Sequence, residues 1–273
     1  MKRKNTKKIL LFMIIIICLI LLLFSIYQII LWKKDSNAIK KQEDEISRKV
    51  QIDDVPDSEQ TEIIEQVEEI PEFNPYWDYI KMNLIDVDFT ELKQTNSSVV
   101  GWIKVNGTNI NYPYVQASDN KYYLTHSFDN SYNNAGWVFL DYRNNKNELS
   151  KNNIIYAHGR TDTTMFGSLR KILTNGWLNN TNNHVIRIST ETENTLWQVF
   201  SVYRIPTTND YIQVDFYNDK EFLEFANMLL SRSSHNFNTT VNANDTILTL
   251  STCYDDNDKV VLHAKLIKRE KKV

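Results

Sequence analysis

TILTLSTCYDDNDKV, residues 246–260, runs from an apolar alternation into an acidic loop, and the junction is a cysteine. The alternation has the period of two that a strand imposes. Leu248 and Leu250 share one face, and Ile247, Thr249, Ser251 and Cys253 share the other. The leucines belong in a core. Cys253 is therefore expected to point away from it, at a strand end, beside polar neighbours and within reach of a substrate. A free cysteine is equally a small hydrophobe that packs inside proteins. Position alone leaves both readings open.

Outward from this strand the texture stays β. KVVLHAKLIK (259–268) reads as the next strand. SVVGWIKV (98–105) and INYPYV (110–115) read as a hairpin, because Asn106 and Gly107 between them form a turn pair typical of hairpins. KYYLTH (121–126), GWVFLDY (136–142), NNIIYAH (152–158), HVIRIST (184–190) and TLWQVFSVYRI (195–205) are further strand candidates. Short, closely spaced strands with turn residues between them predict a closed β-barrel of about eight strands.

A few helices interrupt it. TTMFGSLRKIL (163–173) carries Met165, Leu169 and Ile172 at helical intervals. NDKEFLEFANMLLSR (218–232) opens with Asn218 and Glu221 in capping-box spacing and carries an apolar stripe of Phe222, Phe225, Ala226 and Leu229. PYWDYIKMNLI (75–85) predicts a helix with Trp77, Ile80 and Leu84 on one side, and Asp88 is suited to cap a short helix at 88–93.

The N-terminus divides the chain. Residues 9–32 contain no charge, and about 20 apolar residues cross a bilayer as a helix. The run is too long for a signal peptide, and KKD follows it where a small-residue cleavage site would stand. Residues 1–8 carry five basic groups and no acid, which predicts a cytoplasmic tail with everything after residue 32 outside. Residues 33–74 are rich in charge and read as a solvated, partly helical stalk, in which 58–70 could form a short amphipathic turn or two. The folded domain is expected over 75–273. Without the tail the remaining chain carries a formal charge of −8, which argues against nucleic acid as a partner.

Cysteine usage narrows the chemistry. Cys18 lies in the apolar run, so Cys253 is the one thiol outside it and no internal disulfide is possible there. A reactive thiol needs a base or a cation beside it. Of five histidines, His158 ends an apolar run at a strand-to-loop junction, as Cys253 does. His126 and His184 lie at strand edges, His235 in a polar loop and His263 within the last strand. The pairing of Cys253 with His158 requires both to meet at one rim of the fold. Asp255 is expected to cap its own loop. No metal site and no cofactor is expected, since DDND (255–258) lacks the glycine and distal glutamate of a calcium loop.

Several of these stretches, taken in order, resemble the sortases, membrane-anchored cysteine transpeptidases of Gram-positive bacteria. They are VVGWIKVNGTNINYPYVQ (99–116), NAGWVFLDYRN (134–144), NNIIYAHGRTDTTMFGSL (152–169), TLSTC (249–253) and KVVLHAKLI (259–267). The helix before the cysteine strand and the lead-in at 75–93 are similar to class B sortases. The resemblance implies the sortase barrel, with Cys253 as nucleophile toward the threonine carbonyl of a sorting motif and His158 as general acid and base. Thr249, Ser251 and Thr252 would line the substrate groove. The implied donors are secreted proteins bearing a C-terminal sorting signal, and the implied acceptor is a peptide amine of a cell-wall peptidoglycan precursor. Motifs of the NPxTx kind are the expectation for this class. One position departs from the family: Lys259 stands where sortases place an arginine, and no arginine occurs between Cys253 and Arg269. Lysine keeps the charge and loses the forked donor set. A pilin-polymerising enzyme, or a binding protein that kept the fold and lost the chemistry, are the alternatives.

Overall fold

A computed structural model describes residues 2–64 and 74–272, with the side chains of residues 2–7 left aside. Helix α1 (Lys2–Lys49) leads to strands β1 (Ile52–Val55) and β2 (Thr61–Ile63). The short helix α2 (Tyr76–Tyr79), β3 (Leu84–Val87) and α3 (Thr90–Thr95) follow. The barrel strands are β4 (Val99–Val105), β5 (Asn111–Val115), β6 (Phe139–Leu140), β7 (Asn152–Tyr156), β8 (Val185–Thr190), β9 (Glu193–Pro206), β10 (Ile247–Cys253) and β11 (Asp258–Lys271). Helix α4 (Asn175–Leu178) precedes β8, and α5 (Asp219–Ser231) lies between β9 and β10.

The strand order is β10-β7-β6-β5-β4-β8-β9-β11, and β11 returns to pair with β10, so eight strands close on themselves. Closure leaves no free edge in the ring, and β2 adds outside it against the far end of β11. One continuous apolar core includes Ile103, Val115, Phe139, Ile155, Trp197, Val199, Leu248, Leu250 and Leu262 of the strands, and it extends through Trp102 and Trp137 to Ile46 and Val50 outside the ring. A second apolar cluster lies outside the ring. There Phe222, Phe225, Ala226 and Leu229 of α5 pack with Phe200, Tyr203, Tyr211, Ile247 and Val261. The α5 start is as its sequence predicts: Asn218 accepts from the Glu221 amide, and the Glu221 carboxylate accepts from the Tyr217 amide.

Some local expectations are corrected. Residues 121–126 hold a 3-10 turn at Tyr122–Leu124 in place of a strand, and 136–142 contribute only Phe139 and Leu140. Residues 163–173 begin as a tight turn, with Thr163 and Met165 at positive φ, and continue as a 3-10 helix, Gly167–Leu173. In the lead-in, Tyr76 and Tyr79 face the core while Trp77 is 57% exposed. Helix α2 ends at Tyr79, so the longer periodicity through Leu84 never forms.

The largest correction concerns residues 33–64. They are not a solvated stalk leading to a domain that starts at 75. Helix α1 runs unbroken through Lys49; Ser36, Ile39 and Ile46 are buried along it, and Val50 is buried just past its end. β1 pairs with β3, and β2 pairs with β11. Lys268, fully buried, donates to Asp57 Oδ1, Ile80 O and Met82 O at 2.5–2.7 Å, so its three N–H groups tie this segment to the last strand. The physical reason is sparse patterning: a few apolar residues among charges suffice for a helix that has a barrel wall to lie on. The turn expected at 58–70 is a strand over 61–63, and 65–70 lie outside the described residues.

Candidate active site

Strands β7 and β10 are parallel neighbours, with Tyr156 opposite Ser251. His158 and Cys253 each lie two residues beyond that pair, and both line the same cleft. The chains stay together past the last ladder bond. Thr252 Oγ1 donates to Ala157 O at 2.8 Å, and Gly159 lies so close that a Cβ there would sit 1.9 Å from Cys253 O. Only glycine allows that approach.

Cys253 is half-buried at the end of β10. Its antiparallel partner across β10–β11 is Lys259, and Lys259 Nζ donates to Cys253 Sγ at 2.9 Å. No carboxylate among the described residues pairs with Lys259, so its charge is spent on the sulfur. Arg204 is not a rival. It is bound to Asp255 and Asp258 and stacks on Tyr254, its guanidinium 3.8 Å from the ring centroid.

His158 Nε2 lies 2.8 Å from Leu124 O. A carbonyl can only accept, so Nε2 carries the proton and Nδ1 is left to gain or lose one. Asp255 takes no part in this. Its Oδ1 accepts from the Asn257 and Asp258 amides, which is the loop-capping role expected of it.

Cys253, His158 and Lys259 line one cleft of about 400 Å³. Ser251 and Thr252 line it too, with Asn120, Leu124, Thr207, Asn209, Tyr211 and Ile212 from other segments. Tyr211 OH and Ser251 Oγ share a hydrogen bond at 2.9 Å. A larger open hollow of about 800 Å³ elsewhere is lined by Asp53, Asp86, Lys93, Glu191 and Lys272, charges that largely pair with one another, and no cysteine or histidine lines it.

Thr249 does not belong to the groove and is corrected here. It is fully buried, donates to Asn152 Oδ1 at 2.8 Å and meets His263 Nδ1 at 2.9 Å. The outer face of β10 is open only at its tip, because α5 and Tyr211 cover the rest. His263 accepts from Tyr203 OH at Nε2, and burial pushes its pKa down to about 3. It is a neutral, satisfied core histidine. His184 is another, pushed down to about 4 by burial and held between Tyr79 OH and Leu178 O. His126 stacks on Tyr122 at 4.0 Å, and His235 packs edge-on to Phe237.

One contributor carries no signal in the sequence. Arg170, on the 3-10 helix, donates through Nη2 to Gly159 O at 3.1 Å and Tyr254 O at 2.5 Å. Those carbonyls belong to the residues directly after His158 and Cys253. A single guanidinium thus fastens the two loops where the strand ladder has ended. Among the described residues no cluster of His, Cys, Asp or Glu could hold a metal ion.

Comparison with known proteins follows the same lines. The Sortase domain family matches residues 103–267. Sortase B of Staphylococcus aureus (strain NCTC 8325 / PS 47) is 35% identical over 184 residues, covering 66% of this chain and 75% of the relative. A Bacillus anthracis crystal structure described as similar to sortase B is 33% identical, with a TM-score of 0.66, over 88% of this chain and 98% of that one. A Staphylococcus aureus sortase B–substrate complex is 35% identical, with a TM-score of 0.62, over 66% and 84%.

Proposed function

This chain belongs to the sortase family, with class B sortases as its relatives, and from that premise we propose that it is an extracytoplasmic cysteine transpeptidase. Residues 9–32 anchor it in the cell membrane, N-terminus inside. α1 is long and apolar enough to cross a membrane, with a mean hydropathy of 3.5 in its most apolar window. The donors are secreted proteins with a C-terminal sorting signal, a reading supported by the substrate complex of a class B relative.

In this reading the Cys253 thiol passes its proton to His158 Nδ1, and its sulfur, facing Lys259, attacks the carbonyl carbon of the motif's threonine. The Lys259 ammonium then faces the developing oxyanion, taking the role of the family's arginine as a point charge. The C–N bond breaks as His158 gives its proton to the leaving amine, and a thioester to Cys253 remains. An acceptor amine, a peptide amine of a cell-wall precursor, attacks that thioester, loses its proton to His158 and releases the sulfur. Atoms balance: one peptide bond is exchanged for another.

The observation that carries the reading is an unneutralised lysine on the sulfur in a cleft that a histidine also lines. The test is to incubate the full chain with sorting-motif peptides and candidate amines and weigh the products. Ligation of the amine to the threonine supports transpeptidation. No cleavage of any peptide in a library covering NPxTx motifs would refute it.

A further inference from the structure

The helix that would cross the membrane does not loosen on leaving it. Contacts with the barrel begin where the apolar run ends. Arg160 lies over the Trp32 ring, 5.3 Å from its centroid. Asn133 Nδ2 donates to Asp35 O at 3.2 Å, and Asn134 Nδ2 donates to Asp35 Oδ2 at 3.0 Å. Ser36 Oγ donates to Asp162 Oδ2 at 2.6 Å and accepts from Arg160 Nη2 at 2.5 Å. Arg160 and Asp162 are themselves buried in this joint, each with less than a tenth of its side chain exposed. Further along, Ile39, Ile46 and Val50 are buried, and Gln42 Nε2 reaches Ser127 Oγ at 3.3 Å.

A continuous helix with fixed contacts is a ruler. Asp35 lies only about 4–5 Å along the axis beyond Trp32, at about 1.5 Å per residue. The headgroup layer on each side of the hydrocarbon is roughly 5–7 Å deep. Whatever touches Asp35 is therefore at headgroup depth. Next to Asn134 stands Tyr132, whose hydroxyl donates to Asn134 Oδ1 at 2.8 Å and whose side chain is 70% exposed. Tyr132 meets His126 edge-on, and His126 stacks on Tyr122. Exposed amphipathic rings of this kind favour the membrane–water interface.

Resting on the reading that residues 9–32 lie in the bilayer, we propose that the barrel sits on the membrane through this face. It comprises the Tyr122–His126–Tyr132 aromatics and the exposed Thr161 loop, and its partner is the phospholipid headgroup layer. The same segments build the cleft: Leu124 holds His158, and Arg160 follows it by two residues. The cleft is thus reached at the membrane surface, by substrates that are themselves held there, and not at the end of a long tether.

The far end of the ruler supplies the control. Glu91 shares a hollow with Ile46 and Lys49, and Lys49 follows Trp32 by 17 residues, about 25 Å of helix. Full-length protein carrying Cys253→Ala is placed in phosphatidylcholine–phosphatidylglycerol nanodiscs. One fluorophore is attached at native Cys18, or, with Cys18→Ser, at Tyr132→Cys, Thr161→Cys or Glu91→Cys. Quenching by acyl-chain and by headgroup spin-labelled lipid is then compared. Headgroup quenching at 132 and 161 should exceed that at 91 by about threefold or more, given a layer only several ångströms deep. Cys18 should respond to the acyl-chain label. If Cys18 responds and 132 and 161 match 91, the docked face is refuted while the anchor stands. If Cys18 does not respond, the anchor reading itself fails and the docked face falls with it.

Discussion

Lys259 Nζ donates to Cys253 Sγ across the antiparallel pair that joins the last two strands, at 2.9 Å. A cation thus occupies the sulfur's side. Among the described residues no carboxylate pairs with Lys259, so its replacement removes an unshared charge from the sulfur. Lys259→Met is expected to lower kcat/KM for a sorting peptide by about 10²-fold, the cost typical of losing one oxyanion donor. It should also slow alkylation of Cys253 by iodoacetamide at neutral pH. Lys259→Arg should stay within about tenfold of the parent. Equal alkylation rates for Lys259→Met and the parent would show that the contact does not activate the thiol.

Gly159 tests the closeness of the two loops. A methyl group there would collide with Cys253 O at 1.9 Å, and backbone cannot yield as a flexible side chain would. Gly159→Ala should destabilise the fold by about 1–3 kcal/mol, as overpacking does. It should also depress kcat more than KM, because it separates sulfur from imidazole. Thermal unfolding and steady-state kinetics measure the two effects separately. Parent-like kcat would mean the spacing is not critical.

Arg170 tests how that spacing is held. Arg170→Ala leaves Gly159 O and Tyr254 O without their shared donor. Hydrogen bonds to a charged group contribute about 1.5–3 kcal/mol. A loss of kcat with little change in KM is expected, with partial recovery in Arg170→Lys, which restores a cation and fewer donors. Identical defects in the Ala and Lys variants would point to packing alone.

Much of this was legible from the chain. Alternation along 247–253 gives a true strand, Asn106 and Gly107 give a true turn with Gly107 at φ 71°, and Asn218 does cap α5. That Cys253 ends its strand is legible from the same alternation; that its strand lies beside the one leading to His158 is not, and comes from the fold. What was not legible is non-local. Thr249 reads as a groove residue until α5, which precedes its strand in the chain, covers that face. Met165 fits a helical stripe, but the turn at 163–166 puts it at φ 53°. Residues 33–50 read as solvated because only Ile39, Ile46 and Val50 mark the face that meets the barrel. Arg170 has no pattern at all: its role exists only because two loops end side by side.

The buried histidines set an acid limit on stability. Burial holds His184 down to about 4 and His263 down to about 3, against an ordinary value of 6.5. The unfolded chain therefore binds protons that the folded chain refuses. Their contribution is complete above about pH 6.5 and both lose it as pH falls from there, His184 down to about 4 and His263 down to about 3. Melting temperature should decline across that window, and His184→Gln should flatten the upper part. A melting temperature independent of pH between 6.5 and 4 would contradict the neutral, buried assignment.

The most direct measurement is the mass of the enzyme caught with a sorting-motif peptide, followed by digestion to find the modified residue. The expected result is an acyl adduct on the fragment containing Cys253, released by hydroxylamine and absent from Cys253→Ala, which should not cleave the peptide. Undiminished cleavage by Cys253→Ala, or an adduct on any other residue, would contradict a thioester at this sulfur.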